Sequence, residues 1–204
     1  MTEPTADELF FTRAGLDEKR VGSIVGEALH GADDGELYLE YTQSESFSFD
    51  DGRLKSASFD TSRGFGMRSV AGESTGYAHA SELSEAAIRR AGDTVRAVQA
   101  GRSGVAAEGP ARTNRSLYRP DNPLSEIGFE AKVKLLQEID AYARAKDPRV
   151  RQVSASLLGS WQAVSILRAD GQKVSDIRPL VRVNVSVVVG EGDRVIELEP
   201  ALAG

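Results

Sequence analysis

The chain has 204 residues, with 31 acidic and 25 basic side chains, a net charge of −6, two histidines and no cysteine. That length makes one large domain or two small lobes, and apolar and charged shares of 40% and 27% are ordinary globular values. The absence of cysteine excludes a disulfide framework, a thiolate metal site and a catalytic thiol, and the acidic balance opposes non-specific binding to phosphate backbones. The longest apolar run, Val185 to Val189, is far short of a membrane span, and the acidic N-terminal stretch Met1 to Glu8 lacks the pattern of a secretory signal. The expectation is a soluble cytoplasmic protein.

The first periodic segment is Val21, Ile24, Val25, Ala28 and Leu29, which share one helical face. Asp17 is its expected N-cap, and the region of Gly31 and Gly35 ends it. Leu9, Phe10 and Phe11 suggest a short docking helix before it. Strand signals follow. Leu37, Leu39 and Tyr41 alternate with Tyr38, Glu40 and Thr42, Phe47 and Phe49 alternate with serines, and Asp50-Asp51-Gly52 turns the chain towards Leu54. Residues 56–61 and 64–70 read as two further strands, and Gly72-Glu73 turns the chain into 74–80. About five short strands with tight connections favour an antiparallel meander.

Ser84 is placed to cap a helix whose stripe is Ala87, Ile88, Ala91, Val95 and Val98, with Gly101 as the stop. Residues 103–124 lack periodicity and carry Gly104, Gly109, Pro110, Pro120 and Pro123, the signature of a linker or a long functional loop. Beyond it, Phe129, Val133, Leu136, Ile139 and Ala143 advance by three or four residues, and Pro148 bars the helix from passing Asp147. Val153, Ala155 and Leu157 begin a strand. Residues 163–167 and the Asp170-Gly171 turn form a hairpin into 173–177. Val181, Val183, Val185 and Val187 alternate with Arg182, Asn184 and Ser186, and Gly190-Glu191-Gly192-Asp193 turns this strand into 194–198. Strands in blocks between about three amphipathic helices predict an α+β fold with mainly antiparallel sheet. The expected organisation is one domain over 1–204, with lobes at 1–102 and 125–204 joined by the 103–124 loop.

The residues alone name no reaction. Gly64-x-Gly66 lacks the third glycine and the following helix of a dinucleotide fingerprint, so crowding within a strand explains these glycines better. A general-base role for His79 would need a nucleophile and an orienting carboxylate within hydrogen-bond reach, so it reads as a hydrogen-bonded or surface histidine, while His30 suits a helix C-terminus. Asp33-Asp34-Gly35-Glu36 and Asp50-Asp51 lack calcium-loop spacing and read as solvated turns. Trp161 reads as a core anchor. Arg144, Lys146, Arg149 and Arg151 form the most basic patch, which reads as a solvated helix end rather than a nucleic-acid site.

Two stretches carry a family likeness. The first runs Gly35-Glu-Leu-Tyr-Leu-Glu-Tyr, then Gly64-Phe-Gly-Met-Arg-Ser-Val-Ala-Gly-Glu-Ser-Thr-Gly-Tyr-Ala-His-Ala, then the helix at Leu83-Ser-Glu-Ala-Ala. The second runs Lys132-Val-Lys-Leu-Leu-Gln-Glu-Ile-Asp, Val150-Arg-Gln-Val-Ser-Ala-Ser-Leu, Ala169-Asp-Gly and Asp176-Ile-Arg-Pro-Leu-Val-Arg-Val-Asn-Val-Ser-Val-Val-Val. In order and spacing they resemble the N-terminal part of the TldD/PmbA family, the modulators of DNA gyrase, from about Leu16 to Val189. The Asp-x-Arg-Pro-Leu-Val-Arg segment is similar to the TldD branch rather than the PmbA (TldE) branch.

The resemblance implies the N-terminal domain of an intracellular zinc metallopeptidase that pairs with a TldE/PmbA-like subunit or with itself and degrades or trims unfolded peptides. The family's His-Glu-x-x-x-His metal motif has no counterpart here: Gly31 follows His30 and Ala80 follows His79. No catalytic, metal or cofactor residue is therefore carried over to this chain. It is expected to be inactive alone, with zinc in a missing C-terminal domain and the chain a fragment or half of a split gene. The alternatives are a stand-alone module that captures peptides by strand addition and a protein-level regulator of DNA gyrase, with neither nucleic acid nor membrane contacted directly.

Overall fold

The structure is a computed structural model and describes residues 3–99, 117–192 and 194–198. A single π turn, Glu8–Thr12, buries Leu9, Phe10 and Phe11, so the expected docking helix is present in a wider winding. Helix α1 (Glu18–Ala28) starts where the Asp17 carboxylate accepts the Arg20 N–H at 2.9 Å, satisfying one of the free donors of the first turn. Strands β1 (Asp34–Asp50), β2 (Arg53–Ala71) and β3 (Ser74–Ala80) follow, then α2 (Glu85–Gln99). After them come the short α3 (Pro123–Glu126), α4 (Phe129–Lys146), β4 (Val150–Arg168), β5 (Lys173–Glu191) and β6 (Arg194–Leu198). The strands form one antiparallel sheet in the order β3-β2-β1-β4-β5-β6, and the class is α+β, as expected.

The strands are longer and fewer than the apolar alternation suggests. Residues 37–42 and 47–49 belong to one strand, as do 56–61 and 64–70, 153–157 and 163–167, and 173–177 and 181–187. The polar stretches between them keep the extended backbone because ladder hydrogen bonds join main-chain groups whatever the side chains are. The Asp51-Gly52 turn between β1 and β2 has φ of 48° and 77°, the doubly positive geometry of a two-residue hairpin.

The chain forms two compact units. Unit 1 comprises Met1–Thr42, Thr61–Pro120 and Gln162–Arg178, and unit 2 comprises Gln43–Asp60, Asp121–Trp161 and Pro179–Gly204. In unit 1, α1 packs against α2, and α2 against β3. Ser84 caps α2 by accepting the Ala87 N–H at 3.1 Å. Helix α1 approaches α2 so closely that a Cβ on Gly92 would lie 2.9 Å from that of Ala28. Ile24, Val25, Leu37, Leu39, Met67, Ile88 and Val95 are all buried there.

In unit 2, α4 lies on Phe47 and Phe49 of β1, Ala155 and Leu157 of β4, and Val183 and Val185 of β5. Its buried line is offset from the apolar stripe. Lys132, Leu136 and Asp140, at four-residue steps, are buried, with Val133 and Ile139 beside them, while Phe129 is largely exposed. The helix ends at Lys146, ahead of Pro148. Of the 103–124 loop, residues 103–116 lie outside the described residues, as does Gly101. At its end Asn122 caps α3 by accepting the Leu124 N–H at 3.0 Å.

Candidate functional site

The strands of unit 2 separate their side chains by phase. Because alternate residues point to opposite faces, Phe47, Phe49, Ala155, Leu157, Val183 and Val185 meet α4, and their polar neighbours point the other way. Ser48 and Asp50 of β1, Lys55 of β2, Ser154 and Ser156 of β4, and Arg182 and Asn184 of β5 line a cavity of about 690 Å³ on that second face. Every one of these polar side chains comes from a strand, which gives the site a stiff frame.

Hydrogen bonds fix most of the groups. Asp50 Oδ1 accepts from Gln152 Nε2 and from Ser154 Oγ, both at 2.7 Å, and its Oδ2 stands 3.8 Å from Lys55 Nζ. The bonds from Gln152 and Ser154, with the Lys55 charge adding to them, hold the Asp50 carboxyl below the usual carboxylate range. Asn184 Nδ2 donates to Ser156 Oγ at 3.2 Å, and Arg182 Nε donates to Asn184 Oδ1 at 2.8 Å. Ser156 thus orients Asn184, and Asn184 orients the guanidinium. The arrangement can hold a polar, hydrogen-bonding chain; it contains no paired nucleophile and base.

Beneath the face, unit 2 is tied by a buried ion pair. Lys132 Nζ donates to Glu45 and to the Leu124 carbonyl, each at 2.8 Å, and its side chain is 6% exposed. Asn122 donates to Gln43 at 2.8 Å. These bonds anchor residues 122–124 to β1 and α4. A Cβ on Gly159 would lie 2.5 Å from Leu124 Cδ2, so that glycine makes room for the anchored segment.

The other sequence candidates lie elsewhere. Asp33-Asp34-Gly35-Glu36 is not a solvated turn: β1 begins at Asp34, and its carboxylates hold two arginines. Arg68 donates Nε and Nη2 to Glu36 at 2.7 and 2.8 Å and Nη2 to Asp34 at 2.8 Å, and Arg168 Nη2 reaches Asp34 at 2.7 Å. Burial opposes ionisation of Asp34, yet the Arg68 hydrogen bond and the Arg168 charge outweigh it and lower its pKa. Asp50 closes β1 and Asp51 makes the hairpin turn, with Asp51 also paired to Arg144. Gly64 and Gly66 relieve crowding, as expected: a Cβ on Gly64 would lie 2.8 Å from the Ala80 carbonyl, and one on Gly66 would strike the Tyr77 ring. His79 is exposed and stacks on Tyr77 at 5.6 Å, His30 is exposed just past α1, and Trp161 is buried.

Two arginines of the basic patch are paired in place. Arg144 pairs with Asp140 and Asp51, Arg149 with Asp147 and Glu191, and Lys146 stands 4.4 Å over the Tyr142 ring. The hydrogen bonds from Arg149 pull Asp147 down to about 2. Among the described residues no three His, Asp or Glu side chains gather in a group that could hold a metal. A catalytic zinc takes three protein ligands, so the described residues do not fit one. No described helix is long and apolar enough to cross a membrane.

Two segments of the sequence match models of metallopeptidase-family domains. Residues 35–98 match the PmbA/TldA metallopeptidase domain 1 and residues 122–199 match the PmbA/TldA metallopeptidase central domain. Together the matches cover well over half of the chain, and the chain belongs to the PmbA/TldD family. The metalloprotease TldD homolog of Haemophilus influenzae is 37% identical over 163 residues, 78% of this chain and 34% of that protein. The metalloprotease TldD homolog of Buchnera aphidicola from Schizaphis graminum is 31% identical over 196 residues, 95% of this chain and 41% of that protein.

Solved structures share the fold. A Thermotoga maritima protein described as a modulator of a DNA gyrase superposes with a TM-score of 0.69 at 12% identity, covering 88% of this chain and 40% of that one. TldE from Thermococcus kodakarensis gives 0.63 at 15% identity, with 86% and 40% covered. The chain thus spans between about a third and two fifths of the length of the curated TldD homologs.

Proposed function

We propose that this chain is the non-catalytic N-terminal portion, residues 1–204, of a cytoplasmic TldD-like zinc metallopeptidase, and that the polar face of unit 2 lines the space where unfolded peptide is held. Zinc and its ligands belong, in this reading, to the part of the family's length that this chain does not span. The observation that carries it is the strand-built cavity with oriented donors and acceptors, Ser48, Asp50, Ser156, Arg182 and Asn184, and no nucleophile–base pair. An unfolded peptide presents a repeating series of amide donors and carbonyl acceptors, which such a surface can meet along its length. A TldE/PmbA-like subunit or a second copy completes the enclosure.

A second reading, strand addition at the sheet edge, is favoured by β6, which ends the ladder and exposes Val195 and Ile196. A regulator that contacts DNA is disfavoured by the net charge of −6 and by the pairing of Arg144 and Arg149 with carboxylates. The test is to titrate the chain with a fluorescent unfolded peptide, with and without added zinc, and to follow both anisotropy and cleavage. Saturable binding without cleavage, and without stoichiometric zinc uptake, is expected. Cleavage, stoichiometric zinc or no binding overturns the proposal.

A further inference from the structure

The polar cavity of unit 2 has more cationic capacity than its own carboxylate uses. Asp50 is committed: one oxygen takes Gln152 and Ser154, and the other faces Lys55 at 3.8 Å. Arg182 gives the protein only its Nε, and its two terminal guanidinium nitrogens have no partner among the described residues. The Nε bond to Asn184, itself held by Ser156, leaves the planar end of the group aimed rather than free to swing. Two cations and one engaged carboxylate therefore share a cavity in a chain whose net charge is −6. In unit 1 Arg68 and Arg168 are matched by Asp34 and Glu36, and in unit 2 Arg149 is matched by Asp147 and Glu191.

A guanidinium with both terminal nitrogens open is the shape complement of a carboxylate, because two parallel N–H donors meet two oxygens. Lysine adds charge without directional demand, and the unpaired Ser48 hydroxyl can donate a further hydrogen bond. We infer that this cavity is a carboxylate subsite: Arg182 takes a peptide carboxylate through its terminal nitrogens, and Lys55 supplies the second positive charge. The inference rests on the peptide-holding reading above and names the feature of the peptide that this face selects. That carboxylate is either the C-terminus of the peptide or an acidic side chain.

The experiment separates these sources. The chain is titrated with one unstructured peptide in four forms, with a central Glu or Gln and with a free or amidated C-terminus. The form lacking both carboxylates is expected to bind about tenfold more weakly than the form with both, in keeping with the strength of an exposed charge-assisted pair. Whichever single-carboxylate form keeps the affinity identifies the source. Arg182→Gln is expected to abolish the discrimination and Arg182→Lys to keep part of it, with an unchanged amide spectrum elsewhere showing that both variants fold. Equal binding of all four forms, or a preference that survives Arg182→Gln, overturns the subsite and leaves the peptide-holding reading in place. Failure of all four to bind overturns both.

Discussion

The same strands carry charge in two ways. In unit 1, Arg68 and Arg168 meet Asp34 and Glu36 within 2.8 Å, two cations against two carboxylates, and the group is closed. In unit 2, Lys55 of β2 and Arg182 of β5 line one cavity with Asp50 of β1, whose carboxylate is already committed to Gln152 and Ser154. The first region has the greater density of charge; the second has donors to spare. In the proposed reading the binding face is marked by an oriented group with unused donors, Arg182, and not by density of charge.

Closed pairs should act on stability, and open groups on binding. The most closed pair is Lys132 with Glu45, side chains 6% and 10% exposed. Lys132→Met strands a buried carboxylate and is expected to cost about 3–5 kcal/mol in urea unfolding, while adding Glu45→Met restores most of it. A single-mutant loss below about 1 kcal/mol would break the comparison at its structural end. Gly159→Ala pushes a methyl group against Leu124 and Glu45 and is expected to cost about 1–3 kcal/mol, read by thermal unfolding.

Arg68 is partly exposed, so Arg68→Gln is expected to cost only about 1 kcal/mol. Its pH dependence sharpens the test. Asp34 has a lowered folded pKa, so its contribution is complete above the ordinary carboxylate value of 3.8 and is lost as pH falls through the lower folded value. The gap between wild type and Arg68→Gln is therefore expected to be widest near neutrality and to close in acid. A gap independent of pH contradicts the ion-pair origin. The smallest effect is expected for Arg182→Gln, within about 0.5 kcal/mol of wild type in the same unfolding assay, because this exposed group holds one hydrogen bond.

Much of the fold was legible because its signals are local. The caps at Asp17 and Ser84, the stop before Pro148 and the turn at Asp51-Gly52 each depend on a few adjacent residues. What escaped depends on partners far apart in sequence. Lys132 breaks the apolar stripe of α4, and the carboxylate that permits its burial is Glu45. The stretch from Asp33 to Glu36 looks like a turn until Arg68 and Arg168 are placed beside it. The polar cavity was half visible: Arg182, Asn184 and Ser186 stand out as the polar phase of β5. Their meaning required the matching phases of β1 and β4, whose serines look ordinary one strand at a time.

Amide chemical-shift mapping of the 204-residue chain, titrated with an unfolded acidic peptide, tests the role of the open face most directly. The expected shifts gather at residues 48–50, 154–156 and 182–186 and leave the closed group around Asp34, Arg68 and Arg168 unmoved. Shifts confined to β6 or to that closed group, or no shifts at all, would contradict it.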